Sequence, residues 1–183
     1  MPIMPGVREL GPENTSLRVE TKRGGAAAKA GHDLVLEVRS WRATLVIGDD
    51  PADNSLVLSA DSGSMEVIEG TGGIMALTDA DRVEIKKTLE DEVLEPGQIE
   101  FKSTGSVARD DGQLLEFQGE LTMNGKTHAL GVELEAETDD AVSGKATLKQ
   151  SDWGIEPYSG LFGTLKVRDE VRVLASAPAP DPA

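Results

Sequence analysis

The feature that most limits what this chain can become is a period-two alternation of apolar and polar side chains that returns from Leu17 to Val173. Successive side chains of a strand point to opposite faces, so such alternation marks sheet with one face buried and the other wetted. Leu17, Val19 and Thr21 oppose Arg18, Glu20 and Lys22, and Leu34, Leu36 and Val38 oppose Glu37 and Arg39. The pattern continues through Ala43-Leu45-Ile47, Leu56-Leu58-Ala60, Met65-Val67, Ile99-Phe101-Ser103, Leu115 to Met123, Leu130 to Ala136, Val142 to Leu148, Leu165-Val167 and Val171-Val173, each read at every second residue.

Turn signals separate these runs: Asp49-Asp50-Pro51 to Asn54, Asp110-Asp111-Gly112, Asn124-Gly125 and Asp139-Asp140. Asn124-Gly125 is the strongest, because a type I′ turn needs φ > 0 at both central residues. It predicts antiparallel pairing of Gln113–Met123 with Lys126–Thr138. One long helix interrupts the strands. Thr78 is its expected N-cap, Asp79 and Asp81 suit the positive end of the dipole, and Val83, Ile85, Leu89 and Val93 form an apolar stripe that ends near Leu94. A shorter helical turn is expected over Ala26–Ala30, closed by Gly31 in the left-handed region.

Consecutive strands, one main helix and no βαβ alternation predict an all-β protein, a closed antiparallel barrel of about eight strands with the helix over one opening. The expected domain spans residues 14–176. Residues 1–13, rich in Pro and Gly, and residues 177–183, rich in Pro and Ala, read as tails. The amino terminus lacks the continuous apolar stretch of a signal peptide, and no run approaches the roughly 20 residues of a membrane span, so the expected compartment is the cytoplasm, without stable membrane insertion.

With no cysteine among 183 residues, disulfides, thiolate nucleophiles and cysteine metal sites are excluded. The formal net charge of −15 argues against nucleic acid as a partner. Charge is uneven: residues 1–47 carry seven basic and five acidic side chains, so Lys22, Arg23, Lys29, Arg39 and Arg42 offer an anion-friendly edge on an acidic molecule. Gly70-Thr71-Gly72-Gly73 lacks the Gly-Lys-Ser/Thr ending of a phosphate loop and reads as a connector. Asp49, Asp50 and Asp53 lack calcium-loop spacing. Only His32 and His128 could act as imidazole bases, and neither sits in a catalytic motif. His32 is expected to hydrogen-bond a carbonyl, and His128 to be exposed. No enzyme, metal or cofactor is predicted.

A barrel of about eight strands is either filled by its own side chains or holds one small ligand, depending on the bulk of the inward residues. The inward set mixes Gly119, Gly144, Ala43, Ala60, Ala136 and Ala146 with Leu, Met and a few rings. That mixture suits an elongated apolar cavity, with Met65 and Met123 adapting to a flexible chain.

The order of five landmarks resembles the YceI family, bacterial lipid-binding proteins with a lipocalin-like barrel. They are Gly31-His32-Asp33-Leu34 before Trp41, Ile99-Glu100-Phe101-Lys102-Ser103, Gly119 to Thr127, Ser151-Asp152-Trp153-Gly154-Ile155, and Val167-Arg168-Asp169-Glu170-Val171. The resemblance implies a noncatalytic binding, carrying or sequestering protein whose pocket takes a polyisoprenoid, an isoprenoid quinone or a similar amphiphile. Two departures stand out: Gln150 and Trp153 replace the Arg and Phe of an Arg-Ser-Asp-Phe-Gly stretch, and the Asp79–Leu94 helix replaces a His-Leu and paired-Phe segment. The expected lining is Leu34, Leu36, Trp41, Leu45, Met65, Ile85, Leu89, Phe101, Phe117, Leu121, Met123, Leu148, Trp153 and Phe162, with His32, Lys22, Arg23 and Arg42 as polar or headgroup contacts. A lipid is the expected partner, and a homodimer is compatible with the pattern. The competing reading is a filled barrel that works through its acidic surface as a protein-interaction or stress-response module.

Overall fold

The computed structural model describes residues 2–138, 141–160 and 165–176. Among them the chain forms β1 (Gly6–Leu10), β2 (Ser16–Thr21), β3 (Arg23–Gly24), β4 (His32–Val38), β5 (Trp41–Ile47), β6 (Ser55–Asp61) and β7 (Met65–Gly72). Helix α1 (Asp79–Thr88) then runs into a π-turn over Leu89–Val93. The remainder is β8 (Gln98–Arg109), β9 (Leu114–Met123), β10 (Lys126–Ala136), β11 (Val142–Lys149), β12 (Ser159–Gly160), β13 (Leu165–Val167) and β14 (Glu170–Ser176).

Eleven strands join in one antiparallel sheet ordered β1-β5-β6-β8-β9-β10-β11-β14-β2-β4-β7, and β12-β13-β3 form a small separate sheet. The chain itself brings the ends of the large sheet together. Only Arg39 and Ser40 separate β4 from β5, Gly11–Thr15 separate β1 from β2, and Ser62–Ser64 separate β6 from β7. Each pair is one long strand bent at a corner, so the eleven hydrogen-bonded segments reduce to eight strands curled into a barrel. Two corners are stitched together: Arg39 N–H donates to Ser64 O (3.0 Å), Asp61 N–H to Ser40 O (2.9 Å) and Ser40 N–H to Ser64 Oγ (3.0 Å).

Local chemistry explains the elements. Asn124 and Gly125 adopt φ of 51° and 66°, the left-handed pair that a tight hairpin needs, and β9 and β10 pair as expected from Met123↔Lys126 onward. Thr78 accepts the Asp81 N–H while Asp81 accepts the Thr78 N–H, a capping box that starts α1. Two expectations fail at chain level. Residues 1–13 are not a tail: Gly6–Leu10 pair with β5, Ile3 is buried, and its N–H donates to Gly112 O (2.9 Å). Ala28–Ala30 form only a 3-10 turn, and Gly31 is extended at φ −90° rather than left-handed.

β7 lies at the end of the ladder, with no strand on its outer side. Helix α1 covers that edge. Arg82 Nη1 donates to Val67 O (3.0 Å), and Lys86 Nζ donates to Gly63 O and Met65 O (3.2 Å each). Carbonyls at every second residue share one side of a strand, so two cations four residues apart on the helix satisfy the row that a ninth strand would have met.

Candidate ligand cavity

Inside the barrel, between the helix end and the middle, lies a cavity of about 220 Å3. At roughly 10–15 Å3 per water-sized sphere, that space exceeds a packing defect by an order of magnitude. The interior is therefore not packed solid, which removes the ground for a filled barrel.

Parity along the strands builds the wall. Leu17, Val19 and Thr21 of β2, Leu36 and Val38 of β4, Trp41 and Ala43 of β5, and Val171, Val173 and Ala175 of β14 all face it. On β8 and β9 the wall takes Ile99, Phe101, Leu121 and Met123. Leu115 and Phe117, nearer the opposite end, are buried with Leu45, Ile47 and Ile3 and close that end. Gly119 serves Phe101 rather than the void: a Cβ at position 119 would lie 2.5 Å from the Phe101 ring and from Lys102 O.

Leu89, Val93 and Leu94 cover the cavity beside β7 and β8. The expected stripe on the helix is only half used. Val83 is 70% exposed and Ile85 is half-buried away from the wall. The reason is the tether to β7 through Arg82 and Lys86, together with the π-turn, whose wider winding shifts the phase so that Leu89 and Val93 turn inward. The cover is anchored at its far end by Asn124, which accepts the Glu95 N–H (3.0 Å) and donates to Val93 O (3.3 Å).

Of the residues expected to line the pocket, Leu36, Trp41, Met65, Leu89, Phe101, Leu121, Met123 and Leu148 do form its wall. Leu34, Leu45, Ile85, Phe117 and Trp153 do not, and Phe162 lies outside the described residues. Leu34 precedes a bulge between Val35 and Leu36, which separates its register from that of Leu36 and Val38, and it lies with Leu77 over Gly70. Trp153 is 1% exposed and donates its indole N–H to Leu121 O (2.8 Å), with the His128 ring edge-on at 5.6 Å. It plugs the side of the barrel where β10 and β11, paired only from Glu133↔Lys145 to Ala136↔Val142, part from one another. Wall residues that the expected set missed, such as Leu10, Leu17, Leu58, Leu130 and Val173, are mostly of the inward parity already visible in sequence. Leu10 was hidden by its assignment to a tail, and Val93, Leu94, Gln150 and Ile155 lie outside regular strands, where alternation has no voice.

The polar set does not converge on the cavity. Lys22 pairs with Asp33 at 3.5 Å and Arg23 at 3.8 Å, while Arg23 Nη1 also donates to Gly31 O at 2.6 Å. The Arg23 backbone N–H donates to Asp33, and this bond with the two flanking cations holds the carboxyl below its ordinary value. His32 Nε2 lies 2.8 Å from Met75 O and ties the segment before α1 to the start of β4. Arg42 is elsewhere, on the outer face of β5, paired with Glu13 at 2.7 Å. None of the four is in the wall. Among the described residues no three His, Asp or Glu side chains gather as metal ligands, and no helix is long and apolar enough to cross a membrane.

The model of the YceI-like domain matches residues 11–179. The chain belongs to the YceI-like family. No curated protein matches the sequence. Among solved structures, BcnA of Burkholderia cenocepacia is similar with a TM-score of 0.63 at 16% identity, covering 91% of this chain and 96% of that one. The YceI protein of Campylobacter jejuni is similar with a TM-score of 0.50 at 13% identity, covering 79% and 85%. At these identities the likeness shows a shared fold. In this YceI-like chain Gln150 is buried on the cavity wall and donates to Arg168 O (3.0 Å), so the position that departs from the family pattern contributes a neutral amide there.

Proposed function

We propose that this protein binds an isoprenoid-like lipid in its barrel, carrying or sequestering it without chemical change. One observation carries the reading: a hollow of about 220 Å3 whose wall is almost wholly hydrocarbon. Among the described lining residues the polar side chains are Thr21, Lys145, Gln150 and the indole of Trp41, with no carboxylate, imidazole or nucleophilic pair to drive a reaction. Water is poorly held by such a wall, and a hydrocarbon is well held. Each isoprene unit brings five carbons, worth about 4 kcal/mol at roughly 0.8 kcal/mol per buried carbon, before the cost of ordering a flexible chain is subtracted. The proposed contacts are Leu36, Trp41, Met65, Leu89, Phe101, Leu121, Met123 and Leu148, and the cover formed by Leu89 and Val93 is the proposed gate.

The test is native mass spectrometry of the gently purified protein, followed by titration with squalene. The reading expects a lipid adduct and, at a hundredfold excess over Kd, a stabilisation of about 2.7 kcal/mol, which raises Tm by roughly 5–10 °C in a domain of this size. A bare polypeptide that no prenyl chain protects against heat overturns it.

A further inference from the structure

Between β7 and α1 the chain displays Ile74 and Met75, 81% and 78% exposed, the most exposed large apolar side chains among the described residues. Single exposed hydrophobics are ordinary on a protein surface, but two in succession on one turn contribute nothing to the core. The display is built into the backbone. Gly72 and Gly73 take φ of 79° and 75° as the chain leaves the sheet, and a Cβ at either would press on the Arg23 guanidinium or the His32 ring. His32 Nε2 then lies 2.8 Å from Met75 O, which fixes the turn. Leu77 turns back over Gly70, while Ile74 and Met75 stay in water.

The surroundings of this turn are basic. Arg23 belongs to β3, which pairs with β13 through Arg23↔Val167 and Gly24↔Lys166. The Arg168 side chain lies against Gly24, its backbone N–H donates to Lys22 O (2.8 Å), and the 3-10 turn bearing Lys29 packs on β13. Lys22, Arg23, Lys29, Lys166 and Arg168 thus gather beside the exposed turn. Asp33 pairs with Lys22 and Arg23, whereas Lys29, Lys166 and Arg168 form no ion pair among the described residues. Asp79 and Asp81 follow the turn at the start of α1, and Asp81 is committed to Thr78 in the capping box. Tyr158, whose carbonyl accepts the Val167 N–H (3.0 Å), adds an exposed aromatic side chain to the small sheet.

An apolar tip rimmed by cations complements an anionic lipid bilayer. Two neighbouring side chains offer a fraction of the roughly 800 Å2 per partner that a stable protein interface buries. A bilayer asks for less: a few apolar groups enter the headgroup boundary, and each Lys or Arg near an anionic surface adds about fivefold in affinity. The net charge of −15 does not oppose this. At physiological salt a field fades over about 8 Å, so the bilayer meets the charges of the end presented to it. The same turn leads into α1, whose continuation carries the Leu89 and Val93 cover of the cavity.

We propose that Ile74 and Met75, with the cations of β3, β13 and the 3-10 turn, form a docking surface for an anionic bilayer that brings the cavity's cover against the lipid. This goes beyond the lipid-binding reading. Docking is measured without cargo, so failure to bind squalene in solution would sink the carrier and leave the docking surface standing.

The test is flotation of the full chain with vesicles of phosphatidylcholine and of an equal mixture of phosphatidylcholine and phosphatidylglycerol. The wild type is expected to bind the mixed vesicles about tenfold more tightly, an advantage that high salt removes. Ile74→Ser with Met75→Ser should weaken binding to both kinds of vesicle by about tenfold. Lys29→Gln, Lys166→Gln and Arg168→Gln together should remove the anionic advantage alone, and Val57→Ser, at an exposed valine of β6, should change nothing. None of these residues lies in the cavity wall, so squalene binding in solution should stay unchanged. Because the chain has no cysteine, acrylodan can be attached at Met75→Cys alone, and its emission should move to the blue on mixed vesicles. The same label at Val57→Cys should not respond.

A wild type that floats with neither vesicle, equal flotation of the Ile74→Ser/Met75→Ser variant, or an unshifted label at position 75 overturns the proposal. So does a dimer in sedimentation that the same double variant dissociates, since the turn then serves a second copy of the chain.

Discussion

Replacing Ala146 with leucine opposes two outcomes of opposite sign. Ala146 sits on β11 opposite Val173, and both side chains belong to the cavity wall. The substitution adds three carbons. If they enter existing space, burial at about 0.8 kcal/mol per carbon stabilises the fold by about 2 kcal/mol. There is room for that gain: at about 24 cal/mol per Å3, a void of about 220 Å3 corresponds to about 5 kcal/mol of forgone packing. Were the interior already filled, the same carbons would cost roughly 1–3 kcal/mol through overpacking. For a domain of this size, 1 kcal/mol moves Tm by roughly 2–4 °C. The expected result in calorimetry or urea titration is a rise of about 4–8 °C, accompanied by weaker binding of squalene as the leucine occupies the ligand's space. A fall of several degrees with an unchanged far-UV spectrum would refute the hollow and with it the argument for a carrier.

Trp153→Ala should cost about 3–5 kcal/mol, because it empties the plug between β10 and β11 and deprives Leu121 O of its donor; equilibrium unfolding measures it. Thr78→Ala removes the cap of α1, worth about 1 kcal/mol. Amide exchange in α1 should quicken about fivefold and lipid release should accelerate, with little change in the exchange of β9 and β10. Asp169 accepts from Ser151 Oγ (2.5 Å) and Ser151 N (2.8 Å), and these bonds hold its carboxyl below the ordinary value near 3.8. A depressed folded pKa contributes stability above the unfolded value that disappears as pH falls toward the folded one. The wild type should therefore lose stability on acidification below about pH 4, and Asp169→Asn should lose less between pH 7 and pH 3 in urea titrations.

Much of the fold was legible because its causes are local. The φ > 0 demand at Asn124-Gly125, the Thr78 cap with Asp81, and the inward parity of Leu17, Leu36, Phe101 and Leu148 each depend on a few adjacent residues. Where the reading failed, the cause came from further along the chain. Gly6–Leu10 carries too short an alternation between Pro5 and Pro12 to announce a strand, and pairing with β5 creates one. Val83 and Ile85 fit a stripe that the tether of Arg82 and Lys86 to β7 turns away from the cavity. Arg42 shares a charge cluster with Lys22 in sequence, yet Arg42 pairs with Glu13 and Lys22 with Asp33.

The sequence by itself determined which face of each strand is apolar, where the hairpins turn and where the helix starts, since periodicity and turn chemistry are read from neighbours. Only the tertiary structure decided that the apolar faces enclose a void, and that Trp153 and Phe117 spend their bulk on closing the barrel. The volume left in the middle is set by side chains from eight strands meeting across distances that no local pattern encodes.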